Sequence, residues 1–546
     1  TSSSPGGPTA QGNLISCLDI NVNGVHYQFD PDHKIIQPDA GTLAWRTTVD
    51  GVSKNIIDAV WKPRGYFGGL TKATSGDIGS GTYTQASSVT TANTVKWQLT
   101  GNTLYIYANT SGGRLRGFNG SNAIAPWNND QRVEHVKFQT PSGGATAVYG
   151  TNLSYMFANM PNLKSVDMTN LKVVNTTNTA TTSMSNMFQG DRRLAGTVGP
   201  SGTAVKLPTD MNTSALSTMN YMFENCVAIT EADLSNILNA ATGNMSYAFR
   251  NCTSLKTVKL KNLGNCATEM HFSGAFYGCT ALTDIILENV GNGSGYVVAF
   301  NMFHSCRSIQ TLNISNVFNA RVNNAYWMFG GCSGLKTVNI TSSFNSTNTY
   351  VPGMFSSSFT AGASITMKNC LTGAGANLRY LFNNCPNLAS ATLESVGTGA
   401  NAKLGRMFVD SRTLATLNLT KVGNGANAEL YEMFYSCANS VPANTTVTWM
   451  LKDVGNGGGS NLRAMFMNTF ISTNINASSS LTWTNTTGRG TAISMGHMFS
   501  SRGYEAVGID WGTDGYGMGG TWDYSNQASY EGVAKDNSGI YVTTFA

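Results

Sequence analysis

Between Phe157 and Phe499 an aromatic step, usually Met-Phe, recurs thirteen times, at Phe157, Phe188, Phe223, Phe249, Phe276, Phe303, Phe329, Phe355, Phe382, Phe408, Phe434, Phe466 and Phe499. From Phe223 to Phe434 each step is 26 or 27 residues, and toward both ends it lengthens to 31–35. A period this strict and this short excludes an ordinary globular core. One repeat cannot bury its own apolar face, so neighbouring repeats must stack and make the core between them. Such a solenoid grows along one axis, which is how a chain of 546 residues escapes the size limit of a single compact core.

Within a repeat the residues after the step fall into a fixed frame. FYGCTALTDIILENVGNGSG, from Phe276, gives Leu282, Ile285 and Leu287. The same frame gives Leu255, Val258 and Leu260, then Leu335, Val338 and Ile340. The alternating end of this L-x-x-I-x-L pattern predicts a short strand with one buried face, and stacking makes a parallel sheet. A Gly-Asn turn follows at 290–295, 396–401, 422–427 and 454–459, where glycine permits positive φ at a corner. The residues leading to the next step, such as Leu430, Met433 and Phe434, have near-helical spacing. They predict one or two turns of helix on the convex side.

Seven of the ten cysteines (Cys226, Cys252, Cys279, Cys306, Cys332, Cys385 and Cys437) sit three residues after a repeat phenylalanine. Equivalent positions of a solenoid stack about 4.8 Å apart when strands pair, so this ladder reads as small buried apolar side chains rather than disulfides. Cys17, Cys266 and Cys370 fall outside it and are open to either state. No CxxC pair points to zinc.

These features resemble the BspA-like branch of the leucine-rich repeats, found in bacterial surface proteins and in some phage and protist proteins. The match rests on YMFENCVAITEADLSNI (221–237), YAFRNCTSLKTVKLKNL (247–263) and MFGGCSGLKTVNI (328–340). The segment 97–138, with its hairpin and Pro-Trp pair, is similar to the part that precedes such arrays. The resemblance implies a leucine-rich-repeat solenoid whose parallel sheet is backed by a short helical or irregular convex side, and it implies adhesins or interaction scaffolds. The expected organisation is a β-rich N-terminal domain with a polar linker (1–96), an N-terminal cap (97–150), about thirteen repeats (151–500) and an aromatic, Gly-rich cap or contact segment (501–546). ISCLDINVNGVHYQF, in the first of these, reads as a hairpin around Asn23-Gly24.

No catalytic constellation appears, and neither a Walker motif, a dinucleotide fingerprint nor G-x-S-x-G is present. Asp30-Pro31-Asp32-His33 reads as a proline turn, and 510–520 lacks the spacing of an EF-hand loop. His271 and His304 read as half-buried structural residues. The net charge of +5 carries no Lys/Arg run, which disfavours nucleic acid. No stretch is long enough to insert into a membrane. The opening TSSSPGGPTAQGN has no apolar signal core, which fits either a removed leader or only a lost initiator Met.

The expected function is therefore non-enzymatic and needs no cofactor or metal. It is adhesion or recognition at an extracellular, cell-surface or virion location, through a protein or glycan partner. The alternative is a structural subunit that pairs with copies of itself in a virion fibre, decoration layer, filament or surface layer. Binding is assigned to the outward residues of the sheet: Asp167, Lys259, Glu288, Asn313, Asn339, Thr392 and Asn418.

Overall fold

The computed structural model describes residues 95–469, apart from 109–112, 116, 119–124, 145–147, 151, 173–181 and 209–215, together with residues 479–484; elsewhere it gives the backbone of isolated strands. The chain divides into two units, 1–75 and 76–546. In the first, Asp19–Val22 pairs antiparallel with Val25–Phe29, Val22 opposite Val25. Cys17, Asp30-Pro31-Asp32-His33, the stretch 82–94, Phe499 and 510–520 lie outside the described residues.

The second unit is a solenoid with two lines of parallel strands. The front line starts from an antiparallel hairpin, Val95–Thr100 with Thr103–Ala108. It then runs through one parallel strand per coil, from His135–Lys137 to Asp284–Val290 and from Thr311–Ser315 to Ser480–Thr484. The 35-residue repeat after Phe188 is the exception. It contributes two strands, Gly196–Gly199 and Val205–Lys206, which pair in parallel with each other. The extra length of that repeat is thus spent on an added strand.

The back line is shorter. It runs Thr182–Ser183, Leu216–Thr218, Thr242–Asn244, Glu269–His271, Tyr296–Val298 and Arg321–Asn324. Single bridges through Tyr350, Asn377, Lys403, Glu429 and Asn461 continue it.

The Met-Phe step follows the back strand, and there the sequence expectation is corrected. Among the described residues no helix is present; the step is a run of turns, the irregular form of the convex side. At each phenylalanine from Phe157 to Phe466 the residues two before and two after are left-handed, for example Tyr221 and Asn225 around Phe223, or Trp327 and Gly331 around Phe329. A helix needs every amide to turn back on its own chain. Here alternate amides are spent on the next coil instead. Tyr221, Phe223 and Asn225 donate to the carbonyls of Ser246, Ala248 and Arg250, at 3.0, 2.7 and 2.9 Å. Consecutive turns give the same i, i+3, i+4 apolar spacing as a helix, which is why Leu430, Met433 and Phe434 misled.

The phenylalanines form one continuous column. From Phe157 to Phe466 successive rings lie 4.8–5.8 Å apart and within 28° of parallel. Trp127 extends it by one ring, 5.9 Å from Phe157. Its indole Nε1 donates to the Met156 carbonyl at 2.8 Å. In later coils the carbonyl just before the phenylalanine accepts from the preceding phenylalanine amide, as Met187 does from Phe157. Trp127 therefore supplies the donor that the first coil lacks.

The cysteine ladder is buried, as expected, and its thiols are free. Cys266 and Cys370 are also buried and free. The ladder is more than apolar filling. Each of the seven Sγ atoms donates to the carbonyl of the preceding repeat phenylalanine, at 2.8–3.2 Å. Where the cysteine is replaced, Ser358, Ser411 and Thr469 donate to the same carbonyl, at 2.7, 3.1 and 2.5 Å. Burial pushes the Cys279, Cys332 and Cys385 thiols up to about 12, so they are unreactive at neutral pH.

Asp191 occupies this ladder position after Phe188, fully buried. Its Oδ1 accepts from the Met160 amide at 2.6 Å, and its Oδ2 has no partner. Burial pushes the carboxyl well above its usual range, against the smaller pull of the Met160 amide. A group whose folded value is raised stabilises below its unfolded value and loses that contribution as pH rises through the folded one. The D191S variant, which places a neutral donor there, is expected to gain about 1–3 kcal/mol at alkaline pH. Melting curves from mildly acidic to mildly alkaline pH check this: wild type should lose stability with rising pH more steeply than D191S.

The corners carry a second ladder. Asn239, Asn265, Asn292, Asn319 and Asn345 each accept from, and donate to, the next coil. Their Oδ1 atoms receive the following amide at 2.8–3.2 Å, and their Nδ2 atoms reach a following carbonyl at 2.8–3.1 Å. Gly291 has φ +62, as the corner reading requires. Two residues on, Gly293 serves differently, because a Cβ there would lie 2.2 Å from the Cys266 carbonyl oxygen.

Candidate functional site

With the cysteines, most methionines and the phenylalanines consumed by packing, polar chemistry is left to the outward face of the front line. Alternation puts every second strand side chain there, and the parallel register aligns these into three rows. The middle row runs Lys137, Asp167, Lys206 and then Asp233, Lys259, Ile286. It resumes as Asn313, Asn339, Thr366, Thr392, Asn418, Met450 and Thr482. Six of the seven residues singled out from the sequence lie in this row. Glu288 lies in the next, opposite Lys261.

The two halves of the face differ in chemistry. Up to Glu288 it is charged, and the charges answer one another between coils. Lys206 lies 3.9 Å from Asp167, Lys259 2.6 Å from Glu231, and Lys261 2.7 Å from Glu288. Burial pulls the Asp167 carboxyl upward, but the Thr169 hydroxyl and amide, with Lys206, outweigh it and hold it below its usual range. The hydrogen bond to Glu231 holds the Lys259 ammonium above its usual range. Such exposed pairs add little stability, but they cancel the local field.

From Thr311 onward charge is sparse: Lys368 and Glu394 pair at 3.3 Å, and Lys452 lies opposite Thr420. One outer row reads Thr311, Thr337, Ser364, Ser390, Thr416, Thr448 and Ser480, a hydroxyl in every coil. Asn339 donates to Asn313 Oδ1 at 2.9 Å, and Thr341 to Ser315 Oγ at 3.0 Å. The Asn418 Oδ1 is buried without a partner. The sequence reading named the middle row and missed the hydroxyl row. Its signal was present two residues before Asn313, Asn339, Thr392 and Asn418.

The turn side offers a different surface. Tyr277, His304 and Trp327 stack in sequence at 5.0 and 5.7 Å, and Tyr326 lies 5.0 Å from Trp327. The ring faces are turned against one another, leaving edges to solvent. Stacked and half-buried, His304 is held below its ordinary range by desolvation first and Arg307 second. His271 lies 3.3 Å from Glu269. Among the described residues no group of three His, Cys, Asp or Glu is placed to hold a metal ion, and no helix is long and apolar enough to cross a membrane.

Residues 269–389 and 297–440 match the family model described as BspA type Leucine rich repeat region (6 copies). Residues 151–290 match one described as Mycoplasma protein of unknown function, DUF285. No curated protein matches the chain significantly. Among solved structures the chain is similar to a leucine rich cell surface protein from Faecalibacterium prausnitzii A2-165. The identity is 13%, over 59% of this chain and 92% of that one, with a TM-score of 0.18. A score that low bears on neither fold nor function.

Proposed function

The repeats of this chain belong to the BspA-type leucine-rich repeats, and from that premise we propose a non-enzymatic recognition protein, displayed at a cell or virion surface, that adheres through its front face. The ligand is a neutral, hydroxyl-rich polymer, a glycan in the first instance and a polar protein surface in the second. One observation carries this reading: the seven-coil lattice from Thr311–Ser315 to Ser480–Thr484, hydroxyl and amide groups apart from Met450, Lys368, Glu394 and Lys452, held in register at one strand spacing per coil. Neutral donors and acceptors that repeat about every 4.8 Å meet an extended chain through many weak contacts, whose sum exceeds any one of them. The charged half adds little net field, because its ion pairs close between coils. Asp167, Lys259 and Glu288 therefore flank the contact, while Asn313, Asn339, Thr392 and Asn418 make it.

N313K and N339K test the assignment on glycan arrays and in cell-binding assays. Both replace side chains on the outward face, so the fold should survive, and circular dichroism checks that it does. At least about a tenfold loss of binding is expected, which is about 1.4 kcal/mol. Undiminished binding by both variants would remove the front face as the contact surface.

A further inference from the structure

The front line of strands is two sheets rather than one. One ends on Asp284–Val290, the other begins on Thr311–Ser315, and no ladder joins them. Behind this break the array is continuous. Phe276 and Phe303 stack at 5.1 Å and 7°, Cys306 Sγ reaches the Phe276 carbonyl at 3.2 Å, and Tyr296–Val298 pairs with both of its neighbours. The break is also bounded. Ser308 Oγ donates to the Thr280 carbonyl at 2.6 Å on one side, and the Phe318 amide to Val290 at 2.8 Å on the other. Between those two stitches lies a slit in the face.

Both walls of the slit offer main-chain groups. In the neighbouring coils an outward residue directs its amide and carbonyl at the preceding coil: Thr337 donates back to Gln310, and Thr341 accepts from Asn316. In the same phase Thr311, Asn313 and Ser315 direct theirs into the slit from one wall, while Ile285 and Leu287 do so from the other. Side chains report the same opening. Ile285 and Leu287 are only partly buried, where their equivalents Val258 and Leu260 are at 0%, and Leu312 and Ile314 at 1% and 2%. Between them Ile286 points outward, 40% exposed.

We propose that this slit accepts an extended polypeptide strand that carries apolar residues at alternate positions. The walls demand alternating main-chain donors and acceptors on both sides of the occupant, together with apolar cover for Ile285 and Leu287. A peptide strand supplies both, and a glycan supplies neither in that alternation. The two stitches set its length at about that of the five-residue strand Thr311–Ser315. Entry bows the two walls apart between the stitches, and the phenylalanine column behind keeps the coils joined. This site borders the hydroxyl lattice and shares the strand Thr311–Ser315 with it, but it uses that strand's main chain and does not rest on the glycan reading.

The test uses the full chain and a labelled peptide copied from residues 414–421, LATLNLTK, which forms the equivalent strand of another coil. Anisotropy should show saturable binding to wild type and none of a peptide with proline at Leu417 and Leu419, which removes two main-chain donors. I286C/N313C, substituted at positions the row places opposite each other, should bind when reduced and lose at least about tenfold when oxidised. Hydrogen exchange gives a readout independent of that bridge: amides of Thr311, Asn313 and Ser315 should exchange faster than those of Thr337, Asn339 and Thr341, and slow when peptide is added. No peptide binding by wild type, equal binding by the proline peptide, or equal protection of the two strands would each overturn the proposal.

Discussion

Replacing Phe303 by alanine is expected to destabilise the array by about 3–5 kcal/mol, the cost of truncating a fully buried aromatic. The ring is at 0% exposure and lies between Phe276 and Phe329, at 5.1 and 5.2 Å and nearly parallel to both. Truncation removes two ring contacts at once. It also thins the column at the break in the front sheet, where no ladder lends support. Because each coil touches only its neighbours, the loss should appear first as early melting of the coils around 276–329. Denaturant unfolding followed by hydrogen exchange in that region reads it, and a shift below about 1 kcal/mol would mean that the column does not hold the coils together.

The second large effect is at a residue with no side chain. A Cβ on Gly425 would lie 2.4 Å from the Gly399 carbonyl oxygen and 2.5 Å from the Thr398 one. Both obstacles are backbone, so no rotamer change relieves them, and the two coils must separate. Gly425→Ala is expected to cost about 3 kcal/mol, at the upper end for overpacking. Gly101 is the control: its φ is +59 but nothing lies within 4 Å of its Cβ position. Gly101→Ala should cost only about 1 kcal/mol, from backbone conformation. Similar losses at the two sites in denaturant titrations would refute the close-approach explanation.

The period and the L-x-x-I-x-L frame were enough to read the solenoid, its parallel sheet and its buried sulfur, because core spacing is written in apolar side chains. What stayed illegible was written in the backbone. Tyr221, Trp327 and Arg406 adopt left-handed conformations that their side chains do not announce. The second glycine of VGNG looks like a turn residue and is a packing residue. The ladder donors were half visible, since Ser358, Ser411 and Thr469 stand where cysteine is usual and share only the ability to donate. Of the candidate site, the middle row was legible from alternation. The break beside Ile286 was not, because DIILENV fits the repeat frame as well as any neighbour.

Along the step from Phe157 to Phe434, the amides at the phenylalanine and two residues to either side aim toward the C-terminal neighbour, Tyr380 excepted. That edge of the solenoid is therefore polar. Addition of a coil has a sense along it: a row of amides must meet a row of carbonyls, and a meeting of like rows leaves both unpaired. Trp127, by covering the Met156 carbonyl, blunts the carbonyl end of that polarity.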